Sequence, residues 1–254
     1  MGTRYGRAAF LPLILAAFLF PGAGRANAQA VILGSGDWKP LVDPTAPDFG
    51  PLGRVVMEAC AAAHLRAEIQ LYPWTRCEQL VEAGALAAAF PYAKTADREA
   101  RLGFSSEPLV RTFVRIFYVQ GRGRDVPWSS WKDFGTAVFA SVPGYWYVEQ
   151  LAKSGLPVET AQSDVLAFRM LRAGRVAYVI DDELIAWPII RETFGAEADA
   201  VKTVTRPALE TNLYMIVSRT DPHAAATAAR IDQGLRAIKA NGLYEKIMKG
   251  IPGA

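Results

Sequence analysis

Short apolar runs alternate along the chain with longer stretches whose apolar residues return every three or four positions. The runs VILGS (31–35), RAEIQLY (66–72) and ALAAAF (85–90) predict three strands. Between them, residues 51–64 place Leu52, Val55, Val56, Ala59, Cys60 and Ala63 on one stripe, and WTRCEQLVEAG (74–84) closes on Gly84. Both stretches predict helices. Phe90 is expected to end its strand, with a turn through Pro91, and Thr95 to cap a brief helix running to Arg101. TFVRIFYV (112–119) predicts a further strand, followed by a polar loop. The pattern then restarts with strand 136–142, helix 144–155, strand 157–161, helix 163–174, strand 175–181 and a helix from Asp182. LYMIVS (213–218) predicts a last strand, leading into a long helix over 222–240 that Gly242 breaks.

Strands alternating with helices predict an α/β fold of parallel sheets covered by helices. The strand–helix–strand–helix–strand unit occurs twice, around 31–90 and around 136–181, without a residue-level repeat, so two lobes of similar topology fit better than a solenoid. Open α/β sheets hold ligands beyond the carboxyl ends of their strands. Those ends carry Trp38, then Trp74 with Arg76, then Tyr92, Thr95 and Arg98, and in the second unit Tyr145 with Trp146 and Asp181 with Asp182. Aromatics, a few arginines and two acids, with hardly a nucleophile–base pair among them, suit holding a small carboxylate or zwitterion better than transforming one. Each residue also has a plain structural use: the tryptophans as core, Arg98 as a solvated helix residue, the two aspartates as helix caps.

Composition changes this picture at the N-terminus. Arg4 and Arg7 precede the apolar stretch 8–20, and a small-residue segment ends at Ala28. This is the pattern of a cleaved secretory signal over 1–28, so the mature chain is expected to be exported. Those residues hold Arg4, Arg7 and Arg25 and no acid, so 25 of the 28 basic residues remain to face the 25 acidic ones. A near-neutral chain with no basic block makes nucleic acid a poor partner. Cys60 and Cys77 both sit in apolar helical patterns and read as buried small hydrophobes. His64 and His223 stand apart from any cysteine or acidic cluster, so no metal site is expected, and no cofactor either.

Four stretches give the chain a wider resemblance. GDWKP (36–40), TADREARLGFSS (95–106), AGRVAYVIDD (173–182) and LRAIKANGLYEKIMKG (235–250) resemble, in order and spacing, motifs of the family 3 periplasmic solute-binding proteins, the amino-acid-type receptors of ABC importers. YPWTR (72–76) and FPYAKT (90–95) are similar to a P-W-x-R subgroup. The resemblance implies a periplasmic binding protein type II fold, two α/β lobes joined by two hinge strands, with lobe 1 at 31–111 plus 218–254 and lobe 2 at 112–217. It further implies a monomer that delivers its solute to an inner-membrane permease. On that pattern Arg98 would clasp a carboxylate and Asp182 take an ammonium. Trp38 and Trp74 would sandwich the solute, and Thr95 with the backbone near Tyr92 would complete the cradle. Pro91 and Ala93 stand where that family has small hydroxyl residues or glycine, which leaves other small anionic or aromatic-compatible solutes open. Two further readings stay open: a dehydratase-like enzyme on the same fold acting on a small cyclic acid, and an accessory protein or sensor input that binds a protein partner.

Overall fold

The structure, a computed structural model, describes residues 1–2, 30–143, 145, 147–249 and 251. Residues 3–28 of the expected signal segment, with Gly144 and Trp146, lie outside the described residues. The chain is built as β1 (Val31–Ser35), α1 (Gly50–Ala62), β2 (Ala67–Leu71), α2 (Trp74–Glu82), β3 (Ala88–Ala93), α3 (Ala96–Arg101), β4 (Gly103–Phe104) and β5 (Val110–Val119). It continues through β6 (Phe139–Ser141), α4 (Val148–Lys153), β7 (Val158–Thr160), α5 (Asp164–Arg172), β8 (Tyr178–Asp182), α6 (Glu183–Phe194) and β9 (Val201–Thr203). It closes with β10 (Leu209–Val217), α7 (Ala224–Ala240) and α8 (Leu243–Met248).

The strands join in the order β2-β1-β3-β10-β5-β8-β6-β7. β1 pairs in parallel with β2 and β3, and β6 in parallel with β7 and β8, while β5 and β10 run antiparallel to their neighbours. Each half is covered on both faces, as a parallel sheet requires. In the first half, Leu33 and Phe90 face α1 and α7, and Ala89 and Ile216 face α2. In the second, Phe117 and Val179 pack against α5 and α6, and Ile116 and Tyr178 against α4 and the Trp128–Phe134 loop. Cys60 and Cys77 are free and buried in separate clusters on opposite faces of the first half.

One element differs from its expectation for a definable reason. β3 does not end at Phe90 but continues through Pro91 to Ala93. Its register against β10 slips between Tyr214 and Ile216, opposite Pro91. A proline has no N–H to give a ladder and is tolerated where a bulge removes the need for one. β4 and β9, two and three residues long, carry too short a pattern to be predicted.

The motifs that carried the resemblance are partly structural. Asp232 of α7 accepts the amides of Ser106 and Glu107, and Lys239 and Tyr244 donate to the carbonyls of Pro108 and Leu109 at the entry to β5. Where α7 crosses α1, a Cβ added to Gly234 would lie 1.9 Å from the Ala59 carbonyl oxygen. Alanine there gains about 1 kcal/mol of helix propensity, but the clash is with backbone that cannot rotate away. Gly234→Ala is expected to lower stability by about 1–3 kcal/mol in urea unfolding; an unchanged or raised midpoint would contradict this close crossing.

Candidate functional site

The loops and helix starts at the strand ends converge on one cavity of about 50 Å³, room for roughly a few water molecules. Trp38, at the turn after β1, is held by paired backbone bonds with Val42 and is 6% exposed, so its ring is both core and cavity wall. Trp74 opens α2 and packs on Gly36, where any Cβ would sit 2.4 Å from the indole. Tyr92 meets Trp74 edge to face at 5.6 Å and donates its hydroxyl to the Trp74 carbonyl at 3.0 Å. Pro91, Ala93 and Leu213 complete this wall.

Arg98 also lines the cavity, with its guanidinium 5.0 Å from the Tyr92 ring centre. It is not an open fork. Nε and Nη2 donate to Glu78 Oε1 at 3.1 and 2.8 Å, and Nη1 donates to the Ala93 carbonyl at 3.1 Å. Of the five guanidinium N–H groups, three are therefore spent inside the protein. Thr95 caps α3, its hydroxyl accepting the Arg98 amide at 3.3 Å, and Arg76 is exposed on α2; neither lines the cavity.

The opposite wall is acidic and aromatic. Tyr145 and Tyr147 stack at 5.4 Å, the first donating to Asp164 Oδ2 at 2.9 Å and the second to Asp181 Oδ1 at 3.1 Å. Asp182 ends β8 and caps α6: its Oδ1 accepts the Leu184 amide at 3.0 Å and the Thr112 hydroxyl. Its carboxyl group faces the cavity wall at 4% exposure. Burial pushes its pKa from 3.8 up to about 7; the Thr112 and Leu184 bonds oppose the shift, and neighbouring Glu183 and Asp164 add to it. Burial also raises Asp181 well above the carboxylate range, with like charge from Asp164 second. Asp164 is raised by burial against the pull of its Tyr145 bond.

Of the nine positions expected in the site, six line this cavity: Trp38, Trp74, Tyr92, Arg98, Tyr145 and Asp182. Sequence reasoning missed Glu78, one helical turn beyond Trp74, because its pairing with Arg98 joins α2 to α3 and leaves no mark in the spacing. It also missed Asp164, which read as an ordinary first-turn acid, and Tyr147, two positions after Tyr145. Among the described residues no group of three or more His, Cys, Asp or Glu is placed to hold a metal ion. Among the described lining residues there is no Ser, Thr, Cys, Lys or His.

The architecture has counterparts among solved structures. The GluR0 ligand-binding core from Nostoc punctiforme, in complex with L-glutamate, superposes at a TM-score of 0.71 and 16% identity, over 88% of this chain and all of that one. An ancestral arginine-binding protein bound to arginine gives 0.71 at 17% identity, over 88% and 98%. A histidine kinase sensor domain with similarity to periplasmic binding proteins gives 0.72 at 19%, over 90% and 98%. The fold is that of the two-lobed periplasmic binding proteins. No protein-family model matches the chain, and no curated protein matches it in sequence. Among the described residues no helix is long and apolar enough to cross a membrane.

The buried acids make stability depend on pH in a stated direction. Asp182 holds its proton more tightly folded than unfolded, so its contribution is complete below about pH 4 and lost as pH rises through about 7. Asp181 and Asp164 act in the same direction, and Arg98, the one cation among the described residues that line the cavity, is already engaged by Glu78. Asp182→Asn keeps a cap acceptor and removes the ionisation. In urea unfolding of the solute-free protein, the loss of stability between pH 5 and pH 8 is expected to shrink in the variant, by on the order of 2 kcal/mol. An equal loss in both proteins would contradict the burial of this charge.

Proposed function

We propose that this protein is a periplasmic solute receptor that closes its two lobes on one small polar molecule and delivers it to an ABC importer. Amino acids and their close relatives are the class to screen. The observation that carries the reading is the cavity itself. Its walls come from both halves of the strand order, Trp38, Trp74 and Arg98 on one side and Tyr145, Tyr147 and Asp182 on the other. The lobes in this reading are 31–111 plus 218–254 and 112–217, except that Leu213–Val217 pairs with β3 and travels with the first. The hinge is the paired stretch Val110–Val114 with Leu209–Leu213.

A receptor needs groups that hold, and these side chains are of that kind: stacked rings, one engaged guanidinium, one capping carboxylate. Proteins of this architecture bind by shifting an open–closed equilibrium. An enzyme would route a proton through Asp182 to a substrate, and among the described lining residues no histidine, lysine or cysteine stands beside it as the usual second acid–base group.

A thermal-shift panel of amino acids, amines and small organic acids tests the proposal, since a solute at 100 times its Kd adds about 2.7 kcal/mol of apparent stability. Trp38 is too buried for a clean alanine variant, so Trp38→Phe is the probe of position. A hit is expected to quench or shift tryptophan emission, to weaken in Trp38→Phe and to be recovered unchanged after incubation. A hit indifferent to both Trp38→Phe and Asp182→Asn would place the solute elsewhere, and a converted compound would make the protein an enzyme.

A further inference from the structure

The charges around the cavity do not balance, and the imbalance has one sign. On the first wall the Arg98 charge is met inside the protein by Glu78, whose side chain is 15% exposed against 12% for Arg98. Glu78 is no loose neighbour: its second oxygen is held by Arg101 at 3.3 Å, which in turn pairs with Glu82 and Asp97. On the second wall stands Asp182, backed by Asp181 and Asp164, which accept the Tyr147 and Tyr145 hydroxyls, and no ion pair among the described residues reaches any of the three. Asp181 is 1% exposed, and among the described residues its Oδ2 has no hydrogen-bond partner and neither has the buried Asp164 Oδ1. Buried polar atoms in native proteins are almost always satisfied, so this wall is short of positive charge and of donors.

Besides Pro91, Ala93 and Leu213, the remaining lining is aromatic: Trp38, Trp74, Tyr92, Tyr145 and Tyr147. Rings over a desolvated cation attract it through their quadrupoles. An incoming carboxylate meets the reverse situation. The side edge of the Arg98 guanidinium is taken by Glu78, and Pro91 in the same wall has no N–H to offer.

Resting on the receptor reading, we propose that the solute is a small organic ammonium ion without a carboxylate, its charge set against Asp182 among the aromatic rings. Glu78 is the specificity residue: its carboxylate occupies the guanidinium edge that a solute carboxylate would need, and so excludes amino acids from the site. Specificity of this kind works by repulsion as much as by attraction.

Calorimetric titration of the full chain at pH 8, where alkylamines remain protonated, tests this with two matched sets. Isobutylamine, valine and 3-methylbutanoate form one; phenethylamine, phenylalanine and 3-phenylpropanoate form the other. At least one amine is expected to bind ten-fold or more tighter than its amino acid, with no response to either acid. In Glu78→Gln the preference is expected to shift at least ten-fold toward the amino acid as the guanidinium edge is freed. Tighter binding of an amino acid or an acid by the unmodified protein overturns this inference alone and leaves the receptor standing. A response to none of the six overturns both. The comparison within the unmodified protein decides the matter even if Glu78→Gln fails to fold, and an unshifted preference in a folded Glu78→Gln removes Glu78 from the role.

Discussion

The antiparallel pairing of β5 with β10 is the constraint on which the rest of the molecule depends. The chain leaves the first group of strands along β5 and returns along β10, with Val110 opposite Leu213 and Val114 opposite Leu209. Each of these strands also completes the sheet of one half, β10 against β3 and β5 against β8. Because the same ladder continues into both halves, the rims carrying Trp38 and Trp74 are brought to face the rim carrying Asp182. Thr112, within the crossing and fully buried, bonds the Asp182 carboxyl directly, so the crossing and the acid are one packing unit.

That acid is costly to bury. A carboxyl group in apolar surroundings gives up hydration and holds its proton unless hydrogen bonds or a cation compensate. Here two hydrogen bonds compensate partly, and like-charged neighbours oppose ionisation. A cation entering the cavity would supply the missing term. The same physics that weakens the empty protein as pH rises thus makes room for a charged solute, and stability and binding draw on one group.

Much of this was legible in the sequence, and the parts that were not share a cause. Apolar runs and period-3.6 stripes located most of the large elements, because helices cover the strands of each half, while Leu209–Asn212 of β10 escaped because Glu210, Thr211 and Asn212 break the apolar run. The end of β3 was misread because Pro91 is a local stop signal, while the bulge that tolerates it, Phe90 and Pro91 set against the one residue Met215, exists only in the pairing with β10, over a hundred residues away. The cavity aromatics and Asp182 stood at strand ends, where topology alone points to a ligand. Glu78 did not: on α2 it is one more solvated helix acid until α3 swings Arg98 against it. The engagement of Arg98 is a tertiary fact, and no spacing rule carries the information that a guanidinium at a strand end already has its carboxylate.

The central claim is that the space between the halves receives one small nitrogen base against Asp182. Native mass spectrometry of the purified chain, followed by denaturation and identification of what is released, addresses it most directly. The account predicts a single small adduct, released as a molecule with a protonatable nitrogen and absent from Asp182→Asn. An anionic molecule, or an adduct that survives the loss of the Asp182 charge, would contradict it.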